Sequence, residues 1–409
     1  MNIRQSAAAQ SYLPPDLARI DRLMAAAGLE VLVVTSKHNV QYLMGGYRFI
    51  FFAAMEAIGH SRYLPVVIYQ RGAPDHAAYI GNKMEGSEHA NRAFWVPEIL
   101  PATWGSTDAA ALAVAHLKKL GGSGKIGIEP GFLPSDAYAV LAAGVGAARL
   151  ADATGMLEQM RAIKTPAELD LLRQASELIT DAMTATIQAA GEGWTKHRII
   201  EELRRQEVMR GLHFDYCLLT LGASHNRAGS DQAWQPGEIL SIDSGGNLAG
   251  WIGDLCRMGV LGEPDAELQD LLAEVEAVQQ AAFAEIRPGV PGGQVIERAE
   301  AALRAIPSAG FTDFFGHGMG LITHEVPFLM TNHPVAYDGV DAGRALEPGM
   351  VLSVETTMLH PTRGFLKLED TVAVTATGYE MFGSRNRGWI RGGGSQKKPG
   401  ALPPGPRDI

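Results

Sequence analysis

Four acidic residues stand at matched places on two candidate hairpins, and a histidine in a glycine-rich stretch lies between them. Asp243 and Asp254 are equidistant from a turn expected near Leu248 and Ala249 in "EILSIDSGGNLAGWIGDLCRMGVLG". Glu355 and Glu369 are equidistant from a turn at Thr362 in "GMVLSVETTMLHPTRGFLKLEDTVAVT". If each hairpin closes symmetrically, each pair faces across its ladder with Cβ atoms ~4.5–5.5 Å apart, which destabilises the ladder unless something positive lies between them. Period-two alternation puts Ser353, Glu355 and Glu369 on one face of the second hairpin and Leu352, Val354 and Leu368 on the other. One such pair is an ordinary solvated face, because Asp and Glu are mostly exposed. Two pairs in matching positions of a repeated unit call for a cation.

The stretch "GHGMGLITHEVP", from Gly316 to Pro327, admits three readings: a phosphate loop, a helical zinc motif, or part of a metal site completed elsewhere. The zinc motif needs a second histidine where Phe328 stands. A dinucleotide loop needs a strand-to-helix junction and a later ribose-binding acid, and neither is expected here. His317 as the lone imidazole beside four carboxylates fits better, an oxygen-rich set suited to two divalent ions such as Mn²⁺, Co²⁺ or Zn²⁺. "GGSGKIG" fails as a phosphate loop, because Ile126 follows Lys125 and Lys119 occupies the required upstream glycine position.

The elements that must position these residues follow from the hydrophobic pattern. Strands alternate with helices over the first 155 or so residues ("VLVVT", "VVIYQ", "HAAYIG", "KIGIE"), which indicates an α/β domain. Thr165, Pro166 and Glu168 form a capping box that opens a long amphipathic helix. From there the order helix, helix, strand, hairpin occurs twice, which implies an α+β domain of two similar halves around a shared centre. The expected domains are residues 1–157 and 158–391, with a Gly/Pro-rich tail, 392–409, expected to be disordered.

Composition limits the function classes. The chain has 409 residues, is 46% hydrophobic and 20% charged, and carries a formal net charge of −10. No apolar run reaches the length of a membrane span. The acidic balance offers no basic stripe for nucleic acid. Cys217 and Cys256 are the two cysteines, too few for a disulfide framework, and the N-terminal segment lacks the apolar core of a secretory signal, so a cytoplasmic protein is expected.

The set Asp243, Asp254, His317, Glu355 and Glu369 resembles the ligand set of the pita-bread metallohydrolases, which include prolidase, aminopeptidase P, methionine aminopeptidase and the related creatinase. The resemblance covers essentially the whole chain. It implies a creatinase/prolidase-like N-terminal α/β domain, a pita-bread catalytic domain, two divalent ions per subunit and a homodimer. It also implies that Asp254 and Glu369 bridge the metals and that Glu355 is the ligand acting as general base. His324 matches the histidine of the family's "HExP" element, and "GASHN" makes His225 the proton-shuttle candidate, although one extra residue separates it from Asp243. Two ions sharing a water would lower its pKa towards neutrality. His225 and His324 would then stabilise the oxyanion and move protons to the leaving nitrogen.

The activity so implied is amide hydrolysis, by an Xaa-Pro dipeptidase or aminopeptidase acting on small peptides. The alternative is a creatinase- or ectoine-hydrolase-like enzyme acting on a small nitrogenous metabolite. A non-enzymatic binding module of this fold is disfavoured, because such relatives lose ligands and gain basic extensions. Two departures bear on the choice: Cys256 stands where these peptidases commonly have Thr, and Lys367 where they commonly have Arg. In creatinase-like dimers the N-terminal domain helps to close the partner's site, which makes Arg48, Phe49, Phe51 and Arg62 candidates for substrate contact; core packing is the competing reading of this aromatic cluster.

Overall fold

The computed structural model describes residues 14–54, 57–88, 94–330 and 339–393. The chain divides into two compact units, Met1–Arg161 and Ala162–Ile409. Among the described residues no helix is long and apolar enough to cross a membrane.

In the first unit, helix α1 (Leu17–Ala26) is capped by Asp16, whose side chain accepts from the Arg19 amide. Strands β1 (Leu29–Val34), β2 (Val66–Gln70), β3 (Ala73–Asn82), β4 (Glu98–Thr103), β5 (Lys125–Ile128) and β6 (Leu150–Asp152) form a mixed sheet in the order β4-β3-β2-β1-β5-β6. Helices α2 (Ser106–Leu120) and α3 (Ser135–Val145) pack on it through Ala109, Ala113, Leu117, Ala137 and Leu141. A turn at Gly72 joins β2 to β3, and φ is +72° there, a conformation glycine adopts without steric cost. Phe49 and Phe51 are buried with Tyr63 in edge-on ring contacts, so core packing accounts for them, while Arg62 is exposed on a cavity shared with Ser36, Lys37 and Phe132.

The second unit starts at helix α4 (Pro166–Ala189), where the expected capping box is formed: Thr165 Oγ1 accepts from the Glu168 amide, and Glu168 Oε2 accepts from the Thr165 amide at 2.7 Å. Helix α5 (Lys196–Met209), strand β7 (His213–Leu221) and the hairpin β8 (Ile239–Leu248) and β9 (Trp251–Leu261) complete one half. Helices α6 (Ala266–Phe283) and α7 (Gly292–Leu303), strand β10 (Thr312–Gly318) and the hairpin β11 (Val351–His360) and β12 (Gly364–Val374) repeat the order. The sheet runs β10-β11-β12-β9-β8-β7, so the two hairpins meet at its centre. A short strand, Ile390–Gly392, pairs in parallel with β9, so the expected tail is in the sheet at its first residue. From residue 394 onward the tail lies outside the described residues.

All four helices cover one face of this sheet. Ile179, Met183 and Ile187 of α4 pack with Leu240, Ile242 and Leu255, and Val278 and Phe283 of α6 pack with Leu352 and Val354. A Cβ at Gly253 would lie 2.5 Å from the Ser176 amide nitrogen, so glycine there lets α4 approach the sheet backbone. The opposite face carries the polar row.

The second hairpin has the expected register, Glu355 opposite Glu369. The first does not. Leu248 pairs with Trp251, so the turn is the two-residue Ala249–Gly250, with φ of +52° and +96°. That moves the turn centre by one residue and the pairing by two, and Asp243 faces Cys256 while Asp254 faces Gly245. A two-residue shift preserves the face, so Asp243 and Asp254 still point to the same side.

Candidate metal centre

The register draws one row of side chains across the sheet: Leu218, Asp243, Cys256, Glu369, Glu355 and Phe315 are successive cross-strand partners. Asp254 and Tyr216 share this face, and His317 enters from β10 opposite Ser353. All five expected ligands are buried. Among the described residues, Asp254, His317 and Glu369 form a group whose ligand atoms all lie within 4.8 Å of one another. The adjoining cavity is about 380 Å³ and is lined also by Leu218, Phe315, Thr323 and His324.

The donor atoms suit a cation. His317 Nδ1 donates to the carbonyl oxygen of Gly318 at 3.1 Å, which leaves the Nε2 lone pair facing Glu355 Oε1 at 3.5 Å. Nε2 of His317 is buried without a hydrogen-bond partner, and Oε2 of Glu369, also buried, has only the Lys367 ammonium beside it. A buried nitrogen is seldom left so, and a divalent ion would satisfy it while engaging the carboxylate. The remaining Glu369 oxygen, Oε1, accepts from Ser353 Oγ at 2.8 Å, and Asp254 Oδ1 accepts from the Tyr216 hydroxyl.

Lys367 is a neighbour of a different kind. Its Nζ donates to Asp243 Oδ2 at 2.7 Å, lies 2.8 Å from Glu369 Oε2 and also pairs with Glu355 Oε2. Arg227 Nη2 donates to the same Asp243 oxygen. Burial pushes the Glu355 carboxyl up, but the Lys367 ammonium, followed by His317, outweighs it and holds Glu355 well below the usual carboxylate range. For Glu369 burial prevails, with the Glu355 charge adding to it, and the pKa rises to about 7. Burial and the charges of Glu369 and Asp243 likewise raise Asp254, against the Tyr216 hydrogen bond. Burial lowers the Lys367 pKa, but the surrounding carboxylates, Asp243 first, leave it raised and the side chain charged.

The glycines around His317 serve the loop that follows. The Glu325 amide donates to Gly318 O at 2.9 Å and the Gly318 amide to Pro327 O at 3.1 Å, so "HEVP" folds back onto β10. A Cβ at Gly318 would lie 2.3 Å from the Val326 carbonyl, and one at Gly320 would lie 2.2 Å from Glu325 Oε1. This fold-back stacks His324 on His317 and places it in the cavity wall. His225 is elsewhere: it is exposed, its Nε2 is 3.1 Å from the carbonyl oxygen of His360, and it is not among the cavity-lining residues. Arg227, two residues on, is the side chain of this loop that lines the cavity and meets Asp243. Tyr216 carries no motif signal, since β7 alternates weakly and only pairing with β8 reveals which side chains face the row, and Arg227 reaches Asp243 from the loop that follows β7.

Comparison with known proteins gives the family. Residues 170–376 match the model for metallopeptidase family M24, and residues 17–163 match the creatinase/prolidase N-terminal domain. The chain therefore belongs to metallopeptidase family M24, and it is a metal-dependent hydrolase of the pita-bread fold. It is 26% identical over 373 residues to the uncharacterized peptidase YqhT of Bacillus subtilis, which covers 88% of this chain and 96% of the relative. It is 30% identical over 237 residues to the probable dipeptidase PepE of Mycobacterium bovis, which covers 55% of this chain and 60% of the relative. Among solved structures, the Xaa-Pro dipeptidase from Bacillus anthracis superposes with a TM-score of 0.76 at 21% identity, over 92% of this chain and 99% of the other. The prolidase from Pyrococcus horikoshii superposes with a TM-score of 0.72 at 20% identity, over 90% of this chain and 97% of the other.

Proposed function

We propose that this hydrolase cleaves the amide bond of small Xaa-Pro peptides, as a dipeptidase or aminopeptidase, with divalent ions held by Asp243, Asp254, His317, Glu355 and Glu369. The observation that carries the reading is the juxtaposition of buried Asp254, His317 and Glu369, whose ligand atoms lie within 4.8 Å of one another, with the Nε2 atom of His317 buried and without a hydrogen bond. Bound there, Mn²⁺, Co²⁺ or Zn²⁺ would polarise the scissile carbonyl and supply a nucleophilic water near neutral pH.

The chain's own residues have distinct tasks. Glu355, kept ionised beside Lys367, accepts a proton as general base. His324, on the cavity wall, stabilises the developing oxyanion and passes a proton to the leaving nitrogen. Leu218 and Phe315 give the cavity an apolar side against which a proline ring packs. The cysteines, one half-buried and one buried, are both unpaired, which supports a reducing cytoplasm, and the resemblance to creatinase and prolidase supports a homodimer.

The test is hydrolysis of an Xaa-Pro panel by Mn²⁺-loaded protein beside a chelator-stripped aliquot. Metal-dependent release of proline upholds the proposal. Inactivity of a metal-loaded protein towards every Xaa-Pro peptide would overturn the substrate and leave small nitrogenous metabolites as the alternative.

A further inference from the structure

The structure supplies a cation of its own at the centre. Lys367 Nζ lies within ion-pair distance of Asp243, Glu355 and Glu369, a position that satisfies three of the four carboxylates at once. Its side chain is 6% exposed, so the ammonium is held by these carboxylates rather than by water. Asp243 is doubly engaged, because the Arg227 guanidinium takes the same Oδ2 atom that Lys367 does. On the other side of the centre, among the described residues, no Lys or Arg forms an ion pair with Asp254; the Tyr216 hydroxyl meets Asp254, and His317 Nε2 lies 3.5 Å from Glu355 Oε1.

Resting on the metal-centre reading above, we infer that the two cation positions of this centre are unequal: one divalent ion binds on Asp254, His317, Glu355 and Glu369, and Lys367 occupies the other position, beside Asp243. Charge supports the allocation. With the carboxylates ionised for ligation, Lys367 and Arg227 offset two of four negative charges and leave two, the charge of one divalent ion. An arginine at position 367 has a planar fork that engages a carboxylate from its edge. The lysine ammonium is a compact point charge, able to sit between three carboxylates much as a metal ion does. A second ion enters only by displacing a buried, paired ammonium, and stranding such a charge weakens its binding by roughly 100-fold or more relative to the first.

The experiment is Mn²⁺ loading of the full chain, with removal of free metal by gel filtration. Metal content and the low-temperature EPR spectrum are then measured for the wild type and for Lys367→Met. The expected result is about one Mn²⁺ per wild-type chain with an uncoupled six-line spectrum, and about two per Lys367→Met chain with an exchange-coupled signal. Two tightly held, coupled ions in the wild type would overturn the inference while upholding the metal centre. One ion in both proteins would overturn the role of Lys367. No ion in either would overturn the metal centre itself. If Lys367→Met does not fold, calorimetric titration of the wild type with Mn²⁺ decides: two steps separated by about 100-fold support the inference, and two equal steps overturn it.

Discussion

His317 and His324 stack face to face, with ring centroids 4.0 Å apart and planes inclined by 12°. Their contacts divide their tasks. His317 is buried and turns its unpartnered Nε2 to the carboxylates, whereas His324 is half-buried, has Nδ1 3.0 Å from Thr323 Oγ1 and lines the cavity. His324→Ala is therefore expected to lower kcat by about 10²–10⁴-fold, the usual contribution of a positioned acid or base, with metal content unchanged. Metal analysis beside steady-state kinetics checks this. Loss of metal in step with loss of activity would make His324 a ligand.

Tyr216 donates its hydroxyl to Asp254 Oδ1, which helps to orient this buried carboxylate. Outer partners of this kind typically account for 10–100-fold in metal affinity. Tyr216→Phe should weaken metal binding by about that factor while leaving the fold intact, since the ring remains and only the oxygen is lost. Competition with a fluorescent chelator measures it. Unaltered affinity would show that neighbouring groups alone fix Asp254.

How far the sequence discloses this site depends on which interactions are local. Glu355 and Glu369 were placeable because the loop 361–363 closes symmetrically, with Gly364 at φ +96° ending it. The first hairpin closes one residue later than its symmetry suggested. Ala249 accepts a left-handed conformation beside Gly250, and the Gly250 amide donates to Asn247 Oδ1 at 2.8 Å, a side-chain contact that no alternation pattern displays. Face assignment survived because β-strand parity tolerates an even shift. Lys367 was visible as a departure, but its effect was not, because three carboxylates brought together from β8, β11 and β12 draw its ammonium inward. Tyr216 meets Asp254 only through the pairing of β7 with β8, Arg227 meets Asp243 from the loop beyond, and a histidine in "GASHN" is a stronger local signal than the arginine two residues on.

Glu207 gives the stability a pH dependence separate from the metal centre. It is fully buried on α5, and burial pushes its pKa up from 4.5 to about 8, with Asp215 adding to this and a hydrogen bond from Ser244 opposing it. Between those values the folded chain keeps a proton that the unfolded chain has released. The contribution is thus fully present below pH 4.5 and is lost as pH rises, levelling off above about 8. The slope is at most about 1.4 kcal/mol per pH unit. Glu207→Gln is neutral throughout and should flatten that decline, as urea midpoints of chelator-treated protein at about pH 5 and about pH 8.5 would show. Equal slopes in variant and wild type would mean that Glu207 is ionised when folded.

The loop that carries His324 is tied down by a buried ion pair. Lys164 Nζ lies 2.8 Å from Glu325 Oε1, and the two side chains are 0% and 1% exposed. Such a pair adds little over an apolar substitute, but removing one partner strands the other charge, at a cost of about 3–5 kcal/mol. Lys164→Met should therefore lower stability by roughly that amount, and the double variant Lys164→Met, Glu325→Leu should recover most of it. The backbone bonds from Gly318 to Glu325 and Pro327 do not involve these side chains, so the fold-back should persist in the double variant. Urea unfolding of the three proteins decides. If the double variant is as unstable as the single one, Lys164 stabilises the loop by packing and not by charge.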